Sequence, residues 1–144
     1  MGQALFYEDK YYLFSNWSAH AVTYQEIVYP TAEHAYHTQK FADSKIREVI
    51  RAAKSPLEAK TLANEQYKTQ QKQNWDEVKM SVMYEIVRDK LAQHKEVQDI
   101  LLSTGDNEII ENSPVDYFWG CGKDGRGRNE LGKIWMKLRQ EMRK

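Results

Sequence analysis

The stretch Ile27-Val28-Tyr29-Pro30-Thr31-Ala32-Glu33-His34-Ala35-Tyr36-His37-Thr38-Gln39-Lys40-Phe41 marks the point where this chain changes from strand to helix. Ahead of it, β-branched and aromatic runs at residues 11–14, 21–24 and 27–29 are broken by polar residues and read as short strands. Pro30 closes the last run, and Thr31 is placed to cap a helix that reaches about Phe41. Within that helix Glu33, Tyr36, His37 and Lys40 share one stripe, where an amphipathic helix normally puts its apolar residues. Either the helix is weakly anchored or its polar stripe faces an internal cleft.

Helix prevails from there on. Ile46, Val49, Ile50 and Ala53 give the i, i+3, i+4, i+7 stripe of a second helix. Ser55-Pro56-Leu57-Glu58 combines a capping-box pair with proline at the first helical position, which predicts a third helix running to about Gln66. Trp75, Val78, Val82 and Ile86 mark one face of a longer helix and Met80, Met83, Val87 and Leu91 another, predicting a central helix with neighbours on two sides. Val97, Ile100 and Leu101 form a short helix ended by Gly105, and Ile109-Ile110 a short strand. Leu131, Ile134, Trp135, Leu138 and Met142 line a last helix that begins after Asn129. With no repeat or linker, the fold class is α+β: a predominantly helical single domain, residues 1–144, with short N-terminal strands.

A chain of 144 residues suits one core. Its 21 basic and 21 acidic residues give no global field towards nucleic acid or an acidic membrane, although residues 120–144 hold eight basic and three acidic side chains. That local charge fits a phosphate on a small ligand and fits a solvated helix face equally. A single cysteine, Cys121, excludes an internal disulfide framework and a multi-cysteine zinc site, and a cytoplasmic location is expected. Met1-Gly2-Gln3-Ala4-Leu5 lacks the basic-then-apolar order of an export signal, and Phe6 stands where a myristoylation signal prefers Ser or Thr. No run approaches the ~20 apolar residues of a membrane span, so no membrane partner is expected.

From Ser113 to Gly132, five of the seven glycines fall within thirteen residues, behind the aromatic triplet Tyr117-Phe118-Trp119. Gly120-x-Gly122-x-x-Gly125 matches a dinucleotide fingerprint in letters only, because about one helix follows it and a Rossmann unit needs more sheet. The alternatives are a solvated connecting loop and a loop that holds a ligand, and the aromatic lead-in favours the second. Phe14-Ser15-Asn16-Trp17 is a second aromatic and polar cluster, in which Asn16 can read an amide or ring edge and the rings can equally plug the core. His34 and His37 have ligand-like spacing without a third ligand or an H-E-x-x-H order, and no G-x-S-x-G elbow supports a serine triad. Neither a metal nor another cofactor is expected.

Several motifs in order resemble one family. They are Phe14-Ser15-Asn16-Trp17, Tyr29-Pro30-Thr31-x-Glu33-His34-Ala35-Tyr36-x-x-x-Lys40-Phe41, Ser55-Pro56-x-x-Ala59-Lys60, Thr104-Gly105-Asp106, Ser113-Pro114-x-Asp116-x-x-Trp119-Gly120-x-Gly122 and Gly127-x-Asn129-x-Leu131-Gly132-Lys133. Together, from about Tyr12 to Arg139, they resemble the NADAR or YbiA-like family. The resemblance implies a mostly helical fold and cleavage of N-glycosidic bonds in phosphorylated ribosides. Two substrate classes go with it: ribosylamino-pyrimidine phosphates of riboflavin biosynthesis, and ADP-ribose on guanine in nucleic acid. A nucleotide-binding module without catalysis is the rival from another class.

Carried onto this sequence, the resemblance makes Glu33 and Lys40 the catalytic pair, with Asp116, Trp119 and Asn129 on the glycine-rich side of the pocket. A carboxylate at Glu33 suits the positive charge that develops at the anomeric carbon, and a lysine of depressed pKa at Lys40 suits attack on it. Asp116 joins the catalytic set through ribose hydroxyls or ring nitrogens, and Trp119 stacks on the base. Arg126 or Arg128, with the amides of Gly120 and Gly122, would hold phosphate. Asn16, Tyr36 and Asn129 complete the expected substrate contacts. His37 departs from the glutamine of the family pattern, Trp17 from phenylalanine and Trp135 from leucine, and these positions bear on which riboside is accepted.

Overall fold

The computed structural model describes residues 2–7 and 9–143. In chain order its elements are β1 (Gln3–Phe6), β2 (Val22–Tyr24), β3 (Ile27–Tyr29), α1 (Ala32–Thr38), α2 (Ser44–Arg51), α3 (Pro56–Thr61), α4 (Trp75–Gln93), α5 (Lys95–Ser103), β4 (Glu108–Glu111) and α6 (Glu130–Met142). Short 3-10 turns occupy Asp9–Phe14 and Lys68–Gln70, and a π turn follows α3 at Leu62–Gln66. These elements form two compact units, one continuous (Ala19–Gln93) and one built from the segments up to Ser18 and from His94 onward.

In the continuous unit, β2 and β3 pair antiparallel with Val22 opposite Tyr29 and Tyr24 opposite Ile27. Gln25 and Glu26 turn the hairpin at φ 50° and 70°, left-handed values that side chains seldom adopt. Three helices then start on side-chain caps. Thr31 accepts from the His34 amide, Asp43 from Lys45 and Ile46, and Ser55 from Glu58, as the Ser55-Pro56 signal predicts. The core joins Phe41, Ile46, Ile50, Ala53, Ala59 and Ala63, with Leu62 and Tyr67 packed against it. Val49, placed by periodicity on the same stripe, is exposed instead.

The central helix of this unit is α1, not α4. All seven of its residues are buried, and it packs against α2, α3, α4, β2 and β3. It also ends sooner than its sequence pattern predicts. After Thr38 the chain closes through i→i+3 bonds from Gln39, Lys40 and Phe41 to Tyr36, His37 and Thr38, so Lys40 stands on a tightened turn just beyond the helix.

In the two-segment unit, β1 lies parallel to β4 with Ala4 beside Ile109 and Phe6 beside Glu111, and α6 packs on β4. Residues 11–14, predicted as strand, form part of a 3-10 turn. Its three-residue period stacks Tyr11 on Phe14, ring centroids 5.9 Å apart, and drives Phe14 into the core. Phe14 meets the Trp135 ring at 4.8 Å and accepts its indole N–H at 3.0 Å through the backbone carbonyl. At Gly132 a Cβ would come within 2.2 Å of the Ile109 carbonyl, so glycine is what lets α6 approach β4 this closely. Gly105, at φ 58°, stops α5 as expected. Among the described residues no helix is long and apolar enough to cross a membrane.

Candidate active site

The polar stripe of α1 is enclosed. Glu33, His37 and Lys40 are 7, 3 and 7 % exposed, which resolves the choice between a weakly anchored helix and an inward-facing stripe in favour of the second. Residues one turn apart meet on a helix, and His37 Nε2 lies 3.0 Å from Glu33 Oε2. Burial holds the His37 pKa below its ordinary value, outweighing the pull of Glu33 towards protonation, and Lys40 and Lys60 add to the lowering. The imidazole is therefore neutral at pH 7, with Nε2–H donating to a carboxylate that can only accept. Its buried Nδ1 has no hydrogen-bond partner.

Lys40 extends its amine to Asn64 Oδ1 at 2.8 Å and sits 5.3 Å from the Tyr36 ring centre and 6.0 Å from that of Trp75. Desolvation lowers its pKa to about 8; Glu33 and Asp76 pull it up, while Lys60 and Lys79 push it further down. The lowering raises the share of unprotonated amine near neutral pH, the state in which nitrogen is a nucleophile. The enclosure thus gathers a buried carboxylate, a neutral histidine and a low-pKa amine beside two rings. That set can stabilise positive charge at an anomeric carbon and attack it.

His34 is occupied elsewhere. Its Nδ1 meets Thr31 Oγ1 at 2.8 Å and its Nε2 meets the Ala53 carbonyl at 3.0 Å, ties that pin the start of α1 to the end of α2. Asn64, which holds the Lys40 amine, and Gln71, which bonds Asn64, carry no signal in the sequence: Asn64 stands in the π turn, whose outcome no propensity reveals, and Gln71 follows the 3-10 turn behind it.

The other sequence-predicted site residues belong to the two-segment unit. The glycine-rich loop is folded largely on itself. Asp116 Oδ1 accepts from the Phe118 and Trp119 amides at 2.9 and 2.7 Å, which leaves its second oxygen for other work. A Cβ on Gly122 (φ 71°) would strike the Tyr117 ring, and one on Gly127 the Gly120 carbonyl, so these glycines make room for the loop's own chain. Gly120 is buried and Trp119 half-buried. Asn129 (φ 53°) spends its amide on β4, accepting from Glu111 N and donating to Ile109 O, both at 2.9 Å. Arg128 is paired with Glu130 at 2.8 Å and lies over the Phe118 ring, while Arg126 is exposed. Asn16 is buried in the turn after Phe14, and Trp17 stands at 36 % exposure.

The sequence pattern of the NADAR domain fits residues 5–143. The chain belongs to the NADAR domain family. An N-glycosidase of Nostoc punctiforme is 43 % identical over 92 % of this chain and 86 % of its own length. N-glycosidase YbiA of Escherichia coli is 38 % identical over 93 % of this chain and 83 % of its own. The NMR structure of E. coli YbiA superposes with a TM-score of 0.87 at 35 % identity, covering 99 % of this chain and 86 % of that one. The predominantly helical α+β, YbiA-like fold class is thereby established. This NADAR protein is a hydrolase acting on N-glycosyl compounds.

Proposed function

We propose that the chain hydrolyses the N-glycosidic bond of phosphorylated ribosides, with ribosylamino-pyrimidine phosphates of riboflavin biosynthesis as substrate. The observation that carries this reading is the burial of Glu33, His37 and Lys40 together on one turn-spaced stripe, with His37 bonded to Glu33 and the Lys40 amine desolvated. The choice of substrate is supported by a Vibrio vulnificus relative named as a riboflavin biosynthesis protein. It is 38 % identical over 95 % of this chain, which spans 38 % of that protein.

In this reading the Lys40 Nζ lone pair bonds to C1′ of the riboside as the C1′–N bond to the base breaks. The bonding electrons leave on the base nitrogen, which takes a proton from solvent. Nζ then gives a proton to Glu33, and its electrons expel the ring oxygen, which takes that proton from Glu33, leaving a protonated Schiff base at C1′; the proton released when water adds returns to solvent. Water adds to that carbon and the Nζ–C1′ bond breaks, returning the amine and the free sugar phosphate. The sum is hydrolysis, one water consumed per bond cleaved. As the bond to the base breaks, the carboxylate of Glu33, held by His37 Nε2–H, faces the cationic character at C1′.

The test is turnover of a ribosylamino-pyrimidine phosphate and of ADP-ribosylated guanosine, side by side. The pyrimidine substrate is expected to be cleaved faster. Glu33→Gln and Lys40→Ala should each lower kcat by about 10²–10⁴-fold with an unchanged circular dichroism spectrum. Borohydride added during turnover should leave a reduced adduct on Lys40. Full activity in both variants sinks the assignment.

A further inference from the structure

The π turn after α3 has a consequence for the amine of Lys40. In a regular helix the Tyr67 amide would bond the Ala63 carbonyl; here it reaches back five residues to Leu62 O at 2.9 Å. The Ala63 carbonyl is taken instead by Gln71 Nε2 at 2.9 Å, and the same nitrogen lies 3.3 Å from Asn64 Oδ1. Asn64 is thus steadied from one side by Gln71 and meets Lys40 Nζ at 2.8 Å from the other. A backbone tie runs alongside, Lys72 N to Lys40 O at 2.7 Å, fixing the turn that carries Lys40 to the segment that carries Gln71.

We propose that Asn64 is a positioning residue for Lys40: its neutral amide oxygen takes one N–H of the amine and fixes the direction of the lone pair without holding the proton there. The inference rests on the assignment of Lys40 as the nucleophile. An amine at this depth must satisfy its hydrogens, and the choice of acceptor decides its charge. A carboxylate would satisfy them and also lock the ammonium form, whereas an amide oxygen satisfies them with no net charge. The charged groups that act on Lys40 are Glu33 and Asp76, which favour the ammonium, and Lys60 and Lys79, which oppose it. His37, neutral and bonded to Glu33, completes the surroundings. Burial is the largest influence and favours the neutral amine, and the absence of charge at position 64 leaves that influence unopposed from this side. Asn64 makes no bond to the reacting atoms in this assignment and acts through Lys40 alone.

The test compares wild type with Asn64→Asp and Asn64→Ala, using a ribosylamino-pyrimidine phosphate and, separately, a ¹³C NMR titration of the Lys40 ε-carbon in lysine-labelled protein. Asn64→Asp is nearly isosteric and should move the basic-limb midpoint of kcat/KM, and the NMR midpoint of Lys40, upward by one pH unit or more. Activity at pH 7 should fall about tenfold and return by pH 10. Asn64→Ala should lower kcat with KM nearly unchanged and should not raise the midpoint. A Lys40 NMR midpoint that stays put in Asn64→Asp overturns the proposal whatever the activity does. Turnover that survives Lys40→Ala instead overturns the nucleophile assignment, and the NMR titration then still decides whether Asn64 governs the charge of the amine.

Discussion

His37 shows how one buried imidazole ties chemistry to pH. Its pKa is lowered in the folded chain, so between that depressed value and the unfolded value near 6.5 the unfolded chain binds the extra proton. Stability therefore falls as pH drops below about 6.5, and the loss is complete only below the folded pKa. Glutamine at this position can still donate an N–H to Glu33 but cannot titrate. His37→Gln should accordingly lose less melting temperature than wild type between pH 7.5 and pH 5, read by thermal denaturation at matched ionic strength. Equal slopes would show that His37 is not the group being protonated.

At the scale of an element, the side chain of Asn129 and the backbone bond from Cys121 N to Glu111 O tie the glycine-rich loop to β4. Asn129 sits at a left-handed φ, serves as the entry to α6 and bonds the Ile109 carbonyl and the Glu111 amide along one edge of β4. Asn129→Ala removes a donor and an acceptor from partners that are largely out of water, and should cost about 2–4 kcal/mol in urea unfolding. A loss under about 0.5 kcal/mol would mean the loop holds its shape without this anchor. Local signals of this kind separate what could be read in the sequence from what could not. Ser55-Pro56 with Glu58, the β2 and β3 runs and Gly105 each carry their cause within a few residues, and each is where the pattern places it. Residues 11–14 look like strand because Tyr, Leu and Phe favour sheet, but among the described residues no strand pairs with them, and Tyr11 stacks on Phe14 in the 3-10 turn instead. Strand β1 is invisible locally, since its partner β4 lies more than a hundred residues away. Glu33 and Lys40 were legible from their place in a polar stripe; Asn64 was not, because it reaches Lys40 from the π turn, nor was Gln71, which bonds Asn64 and the carbonyl the π turn frees.

For the molecule as a whole, the charge buried in the continuous unit sets a broad dependence of stability on pH. Lys90, fully buried on α4, has its pKa pushed by desolvation down to about 7, and Lys40 to about 8. Above those values the unfolded chain holds protons that the folded chain has released, so stability rises with pH until the unfolded lysines also deprotonate near 10.5. Tyr24 works the other way above about pH 10, because burial and the bond to Glu85 raise its pKa and keep it protonated in the fold. Comparing wild type with Lys90→Met between pH 7 and 9.5 should therefore show wild type gaining on the variant with rising pH, by an amount on the order of a few kcal/mol. A constant difference would place the proton of Lys90 elsewhere.

The pairing of β1 with β4 also dictates an order of events during synthesis. Ala19–Gln93 is one uninterrupted run, complete in itself while the remainder is still being translated. Residues 3–6 are made before the strand they add to, which follows more than a hundred residues later, roughly 5–20 s at ordinary elongation rates. For that interval the beginning of the chain has a bare hydrogen-bonding edge and two core side chains, Ala4 and Phe6, with nowhere to go. Only the late synthesis of Glu108–Glu111 gives the early strand a place.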